Sequence, residues 1–186
     1  MSLSHYASKR VYFINERFLE LLKTSAEFLG EAQFTDYVFW AVDTDENLQW
    51  VRHIEKNVWP SMKKGKFYPF CKAKIKWPSH FQIFEMSIGT PLKQCNSLKE
   101  AKHYFPSDLD ILFSFSRRLW EYKIDDLLIY IEDVDQIPIT IEVVCKTNKN
   151  TLNENMNIVD NFLKKHNLKV AIPNQIATLV KKELGY

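Results

Sequence analysis

The stretch from residue 116 to residue 145 constrains the fold of this chain more than any other. It reads SRRLWEYKIDDLLIYIEDVDQIPITIEVVC and contains three runs of strand-forming residues separated by charged turns. The runs cover residues 117–122, 127–131 and 137–144. β-Branched and aromatic residues at this density favour a pleated, half-buried surface over a helix. The stretch therefore predicts an antiparallel meander of three strands.

The remaining segments predict further strands and several helices. Strands are predicted over residues 7–14, 34–42, 70–77 and 81–88. Helices are predicted over residues 15–29, 97–105 and 154–166 and after Asn174, with Asn15 and Ser97 as N-cap residues. Residues 43–59 suit either a helix or a short strand. At 186 residues, this mixture of elements predicts a single α+β domain with an antiparallel sheet.

Composition excludes several classes of protein. The chain is 46% hydrophobic and 14% aromatic, which is typical of a globular protein. No apolar run approaches the length of a membrane span and no signal-peptide core is present, which predicts a cytoplasmic protein without a membrane partner. A net charge of +2 does not favour a nucleic-acid partner. Three cysteines without C-x-x-C spacing predict neither a disulfide framework nor a zinc site.

Phosphate binding by this chain would depend on side chains. Neither of the two common glycine-loop motifs for phosphate occurs among its four glycines. Residues 70–77, FCKAKIKW, instead carry Lys72, Lys74 and Lys76 in alternation with apolar residues, so that a strand would present three ammonium groups on one face. These lysines either cover the solvated face of an amphipathic strand or point into a closed barrel. An inward row implies a polyanion ligand, because like charges packed together repel each other.

The chain resembles the CYTH superfamily, the triphosphate tunnel enzymes related to class IV adenylate cyclase and thiamine triphosphatase. That family shows a basic strand K-x-R-x-x-Y, a strand ending in l-D-x-V and a closing strand l-G-x-F-x-E-I-E. The matching residues are Arg118 with Tyr122, Ile131-Glu132-Asp133-Val134, Ile137-Pro138 and Ile141-Glu142-Val143-Val144. Thr35 and Asp36 keep part of a further motif, t-D-t-Y-f. The resemblance implies one CYTH-like domain over residues 1–186, an antiparallel β-barrel or strongly curved sheet with flanking helices.

Two departures from the family concern its metal site. The family's first strand carries E-x-E-x-K, whose glutamates are expected to hold the metal ion. Alignment of the strands places Ala7, Lys9 and Val11 at those three positions. In the closing strand, Val144 stands where a second glutamate is expected.

The resemblance and the strand patterns together give candidate site residues. A triphosphate bound without a glycine loop needs Lys and Arg side chains converging from several strands. The candidates for substrate binding are Lys72, Lys74, Lys76, Arg118, Arg52 and Lys9. Glu142 and Glu85 are the candidate catalytic carboxylates and the candidate ligands for Mg²⁺ or Mn²⁺, since hard cations take oxygen ligands. The alternative for Glu142 is a salt bridge with Arg117 or Arg118.

Two functions remain open at this point. In the first, the chain binds a nucleoside triphosphate, an organic triphosphate or another small polyanion in a basic barrel interior, with metal-dependent triphosphatase or adenylate cyclase activity. Alternatively, it has kept the barrel, lost the metal-binding carboxylates, and binds an anion or a protein partner without chemistry. The missing E-x-E-x-K motif favours the second function. The alternating lysines favour anion binding in either case.

Overall fold

The computed structural model describes residues 5–12, 15–41, 47–56, 62–76, 82–84, 93–105, 110–148, 150–168 and 176–185. At positions 5, 40–41, 47–49, 71–76, 82–84 and 178 it describes the backbone only.

Strands of the described ranges close into an antiparallel barrel. They are β1 (His5–Tyr12), β2 (Glu27–Ala41), β3 (Asn47–Lys56), β4 (Phe67–Lys76), β5 (Gln82–Phe84), β6 (Phe113–Ile124), β7 (Leu127–Val134) and β8 (Ile137–Thr147). Their order around the barrel is β1-β5-β4-β3-β2-β6-β7-β8. The flanking helices are α1 (Glu16–Ser25), α2 (Leu98–Lys102), α3 (Leu152–Lys165) and α4 (Ile176–Glu183). The predicted α+β fold, an antiparallel β-barrel or strongly curved sheet with flanking helices, is confirmed.

The meander predicted from residues 116–145 corresponds to β6, β7 and β8. Leu119 pairs with Glu132 between β6 and β7, and Tyr130 pairs with Glu142 between β7 and β8. Asp125 and Gln136 have positive φ values of 51° and 78° in the two connecting turns. Aspartate tolerates this left-handed conformation better than most residues, which is consistent with the Asp125-Asp126 turn.

The region between residues 15 and 59 differs from the sequence prediction. Asn15 is the N-cap of α1, and its side chain accepts a hydrogen bond from the backbone N–H of Arg17 at 3.1 Å. The helix ends at Ser25, however, and Gly30 (φ 148°) lies beside a bulge within β2 instead of ending α1. Pairing of β2 with β6 overrides the apolar helical pattern that continues to Leu29. Within the undecided segment 43–59, the described residues form the strand β3.

Apolar side chains cover the outer face of β1, β7 and β8, and others lie on the inner face beside the buried charges. On the outer face, residues such as Val11, Ile129 and Val143 pack against α1 and α3 through Leu22 and Leu163. A second cluster draws on strands around the barrel and fills part of its interior. Its buried members are Ala32, Phe34, Ile54, Met62, Tyr68, Phe70, Leu119, Tyr130 and Val144. Burial on both faces explains why much of β7 and β8 reads as a nearly continuous hydrophobic run.

The helix α4 covers one end of the barrel. Its residues Ile176 and Val180 belong to the same apolar cluster as Val38, Phe115 and Val134. Each of these three barrel residues lies two positions along its strand from a charged residue of the interior. In the described part of the chain, no helix is both long enough and apolar enough to span a membrane.

Candidate functional site

Buried charged side chains line the interior on six adjacent strands. Six of them are linked to one another by ion pairs, and in barrel order these are Arg52 on β3, Asp36 on β2, Arg117 on β6, Glu132 on β7, Glu142 on β8 and Arg10 on β1. We call these six residues the interior charge chain. Their carboxylates are at most 5% exposed and their arginines at most 12%. Charges buried to this degree need partners, since desolvation of an isolated ion costs several kcal/mol.

Arg10 joins three strands through one guanidinium group. Its Nη1 atom donates to a carboxylate oxygen of Glu132 and to the Oγ1 atom of Thr140, the latter at 2.9 Å. Its Nη2 atom donates to Oε2 of Glu142 at 2.6 Å. The strand register explains the convergence, because Arg10 pairs with Glu142 and Thr140 pairs with Glu132.

Both partners of the Arg10–Glu132 pair are stabilised in their charged forms. Burial alone would lower the pKa of Arg10, but the charges of Glu132 and Glu142 outweigh it and raise this pKa. Burial alone would raise the pKa of Glu132, but Arg10 and Arg117 outweigh it and lower this pKa. The pair is therefore ionised at neutral pH.

Arg52 and Arg117 continue the interior charge chain on the other side of Glu132. Arg52 binds Asp36 through two parallel hydrogen bonds, Nε to Oδ1 at 2.7 Å and Nη2 to Oδ2 at 2.9 Å. Arg117 lies between two carboxylates, with Nη2 at 3.4 Å from Asp36 and Nη1 at 3.2 Å from Glu132. Along the contacts from Arg52 through Asp36, Arg117, Glu132 and Arg10 to Glu142, charges of opposite sign thus alternate.

The ring of Phe34 contacts both arginines at this end. The guanidinium carbon of Arg52 lies 4.0 Å from the ring centroid and that of Arg117 lies 4.4 Å from it. Burial and the charge of Arg52 lower the pKa of Arg117, against the opposing effect of Glu132 and Asp36. The buried Nε atom of Arg117 has no hydrogen-bond acceptor among the described residues.

Glu121 and Tyr130 form a second polar contact inside the barrel. They are register partners on β6 and β7, and the Tyr130 hydroxyl is hydrogen-bonded to the Glu121 carboxylate. Burial, together with the charges of Glu121 and Glu142, raises the pKa of Tyr130 far above its usual value. Tyr130 is therefore a neutral hydrogen-bond donor at every ordinary pH.

The structure brings Arg52 and Glu142 into the interior charge chain and places two other candidates outside the barrel. Lys9 forms an ion pair with Asp160 of α3. Arg118 is half-exposed and lies 3.4 Å from Glu31. Adjacent residues of a strand point to opposite faces, so the inward positions belong to their neighbours in sequence, Arg10 and Arg117.

The remaining candidates are described in part or not at all. Lys72, Lys74 and Lys76 lie on β4, where their backbone partners are Leu48, Phe84 and Gln82. These positions have the same parity along β4 as Tyr68 and Phe70, whose side chains pack in the interior. The lysine side chains and the whole of Glu85 lie outside the described residues, so their roles stay predictions.

The site residues predicted from the sequence do not include four members of the interior charge chain, namely Arg10, Asp36, Arg117 and Glu132. Asp36 and Glu132 both lie in motifs that carry the CYTH resemblance, and these motifs could have identified them as candidate site residues. Arg10 was not predicted because the family motif was matched to Ala7, Lys9 and Val11, which have the opposite parity along β1. In the structure, the positions aligned with the family motif point outward, and Ala7 packs against Leu152 and Met156.

A divalent metal ion does not fit the described carboxylates of the interior. Both oxygens of Glu132 and both oxygens of Asp36 accept hydrogen bonds from arginines, and Oε2 of Glu142 does so as well. Within the described ranges, no group of three or more His, Cys, Asp or Glu side chains could hold a metal ion. Mg²⁺ and Mn²⁺ need several free oxygen ligands at once.

Comparison with known proteins defines the fold. No family model matches the chain, and no curated protein matches it. Among solved structures, a protein of Pyrococcus horikoshii OT3 has a TM-score of 0.68 at 12% identity over 96% of this chain and 99% of that one. A putative adenylate cyclase of Vibrio parahaemolyticus has a TM-score of 0.62 at 12% identity over 100% of both chains. A chain of the Schizosaccharomyces pombe Mediator head module has a TM-score of 0.52 at 9% identity over 87% and 93%.

These likenesses, at such low identities, concern the fold alone. The chain has a CYTH-like fold, which it shares with a structure named for adenylate cyclase. The fold implied by the sequence resemblance is thus confirmed.

Proposed function

We propose that this protein binds a triphosphate or another small polyanion inside the barrel, on the side formed by β3, β4 and β2. The single observation that carries the proposal is the position of the β4 lysines relative to Arg52. Arg52 lies inside the barrel on β3 and pairs with Tyr68 of β4. Four, six and eight residues along β4 from Tyr68, alternation assigns Lys72, Lys74 and Lys76 to the same face.

The balance of charge supports an anionic ligand there. In the interior charge chain, three arginines face three carboxylates, so that this part of the interior needs no further counter-ion. Three lysines on the same face would add positive charge beside this balanced set. A polyanion would neutralise them and accept their hydrogen bonds.

The proposed function is binding, without a metal-dependent step. Triphosphatase or adenylate cyclase activity would require carboxylates for Mg²⁺ or Mn²⁺, for which Glu142 and Glu85 are the candidates. Glu142 is bound by Arg10, and Glu85 lies outside the described residues.

A protein-interaction role is the second candidate function. Two observations favour it: the charges of the interior chain are bound to one another, and a barrel of this fold forms part of the Mediator head module. Under this hypothesis the ion pairs of the interior stabilise the barrel, and its outer surface binds a protein partner.

Calorimetric titration with inorganic triphosphate and with ATP tests the proposal, each with and without Mg²⁺ or Mn²⁺. We expect binding that weakens by about tenfold or more when Lys72, Lys74 and Lys76 are replaced by alanine, since each charge-assisted hydrogen bond contributes about 1.5–3 kcal/mol. The control is Lys123→Ala, which removes an exposed lysine from β6 of the same barrel. Equal weakening by both changes, or no binding of either ligand, would contradict the proposal. Release of phosphate or of cyclic AMP in the same samples would show that catalysis accompanies binding.

A further inference from the structure

We infer that the guanidinium group of Arg10 is a built-in cation that takes the place of a divalent metal ion between Glu132 and Glu142. This inference concerns the same interior as the proposed function, but it does not depend on the binding of an anion there. It rests on the contacts of one side chain that joins β1, β7 and β8.

The two carboxylates need a cation between them. Glu132 and Glu142 lie on neighbouring strands, both point into the barrel, and both are almost completely buried. Two carboxylates that share a buried site repel each other, and one of them would take up a proton unless a positive charge lay between them. Arg10 supplies that charge with a side chain that is itself 3% exposed.

The atoms around Arg10 are those that a hard cation would use. Its guanidinium group donates to one carboxylate oxygen of Glu132, one carboxylate oxygen of Glu142 and the hydroxyl oxygen of Thr140. An all-oxygen set with two carboxylates is the donor set that Mg²⁺ and Mn²⁺ prefer in proteins. Here these oxygens bind N–H groups, and the positive charge is covalently attached to the chain.

The position of Arg10 on β1 sharpens the inference. Arg10 is the register partner of Glu142, so an acidic residue at position 10 would give three carboxylates converging from three adjacent strands. In this chain an arginine stands there instead. One residue thus removes a metal ligand and supplies the positive charge that the metal would have brought.

A consequence is that the interior holds its cation independently of metal supply. An arginine side chain stays protonated at every pH at which the protein is folded. Neither a chelator nor mild acid can remove the positive charge from between Glu132 and Glu142. The wild-type protein should therefore have the same stability in EDTA and in millimolar Mn²⁺.

The test compares Mn²⁺ binding by the wild-type chain with that of Arg10→Glu and Arg10→Ser. Free Mn²⁺ is measured by electron paramagnetic resonance, and thermal unfolding midpoints are measured in EDTA and in Mn²⁺. For the wild type we expect no saturable Mn²⁺ binding and no shift of the midpoint. For Arg10→Glu we expect Mn²⁺ binding at least about tenfold tighter than in the wild type, and a midpoint several degrees higher with Mn²⁺ than with EDTA.

Two further variants show whether the metal binds at this place. Adding Glu142→Gln to Arg10→Glu should abolish the gain in Mn²⁺ binding. Lys165→Glu makes the same change of charge at an exposed position on α3 and should produce no gain. If Arg10→Glu does not fold in EDTA, we expect it to fold when Mn²⁺ is added.

Specific outcomes would overturn the inference. One is saturable Mn²⁺ binding by the wild type that Glu142→Gln removes. Another is that Mn²⁺ neither binds to nor stabilises either variant, Arg10→Glu or Arg10→Ser. These readouts use metal without any phosphate ligand, so they stand apart from the triphosphate titration that tests the proposed function.

Discussion

Arg10 and Glu142 face each other as register partners on β1 and β8, and the Nη2 atom of Arg10 lies 2.6 Å from Oε2 of Glu142. The same guanidinium group reaches Glu132 on β7. One residue of β1 therefore connects β7 and β8.

Removal of Arg10 should be costly because it leaves two buried carboxylates without their cation. We expect Arg10→Leu to lower the free energy of unfolding by about 3–5 kcal/mol, the range found when one partner of a buried ion pair is removed. Urea denaturation measures this change. Lys9→Leu is the matched control, since the Lys9–Asp160 pair is more than a quarter exposed on both sides and should be worth at most about 1 kcal/mol. Similar losses in the two variants would contradict this prediction.

The lowered pKa of Glu132 predicts a loss of stability in acid. Burial alone would raise this pKa, but Arg10 and Arg117 outweigh burial and lower it in the folded protein. The resulting stability is fully present above the pKa of the unfolded side chain, about 4.3, and is lost as the pH falls through the folded value.

We therefore expect the difference in free energy of unfolding between the wild type and Glu132→Gln to be largest near neutral pH. It should shrink as the pH falls below about 5. Urea unfolding at several pH values measures this difference. A difference that stays constant, or grows, in acid would show that Glu132 has no lowered pKa in the folded protein.

The contacts of the Phe34 ring with Arg52 and Arg117 predict an energetic coupling between this ring and the arginines. A double-mutant cycle with Phe34→Leu and Arg52→Met should give a coupling free energy of about 0.5–2 kcal/mol, which is typical of cation–π contacts. A second cycle pairs Arg52→Met with Phe39→Leu, whose ring is equally buried but belongs to a different apolar cluster. That cycle should give a coupling below about 0.5 kcal/mol. Equal couplings in the two cycles would argue against a specific contact.

Asn15 should stabilise the start of α1 and the contact of α1 with the end of α3. Its side chain accepts from the N–H of Arg17 and donates to the carbonyl oxygen of His166 at 3.2 Å. We expect Asn15→Ala to lower the free energy of unfolding by about 0.5–2 kcal/mol. The control is Asn157→Ala on the exposed face of α3, where alanine is the better helix former and no loss is expected. A loss of the same size in the control would mean that the cap contributes nothing.

The barrel could be predicted because its C-terminal half carries local signals. Three β-branched runs, charged turns and motifs at family-like spacing all lie between residues 116 and 145. For β1 and β6, however, the sequence does not show which alternate residues point into the barrel and which point outward. Both faces of β1 are buried, so an apolar residue does not mark the outer or the inner face. On β6, Arg117 and Arg118 are adjacent, and the sequence alone does not show that the inward residue is Arg117.

The partners inside the barrel could be predicted even less. Asp36, Arg117 and Glu132 meet only because β2 lies beside β6 and β6 beside β7. A salt bridge between Glu142 and Arg117 or Arg118 was one expectation, but the contact that forms is between Glu142 and Arg10, 132 residues apart in sequence. Such choices depend on the closed topology, which no local pattern contains.

The pairing of β1 with β8 also bears on how the protein is made. His5 lies opposite Thr147, so β1 is synthesised well before β8, the strand with which it pairs along its length. At about 5–20 residues per second, this wait is on the order of ten seconds. During that time the edge of β1 has no β8 to pair with, and Ala7 on its outer face has no α3 to cover it. Contacts between unpaired β1 edges of neighbouring nascent chains should therefore lower the yield of folded protein.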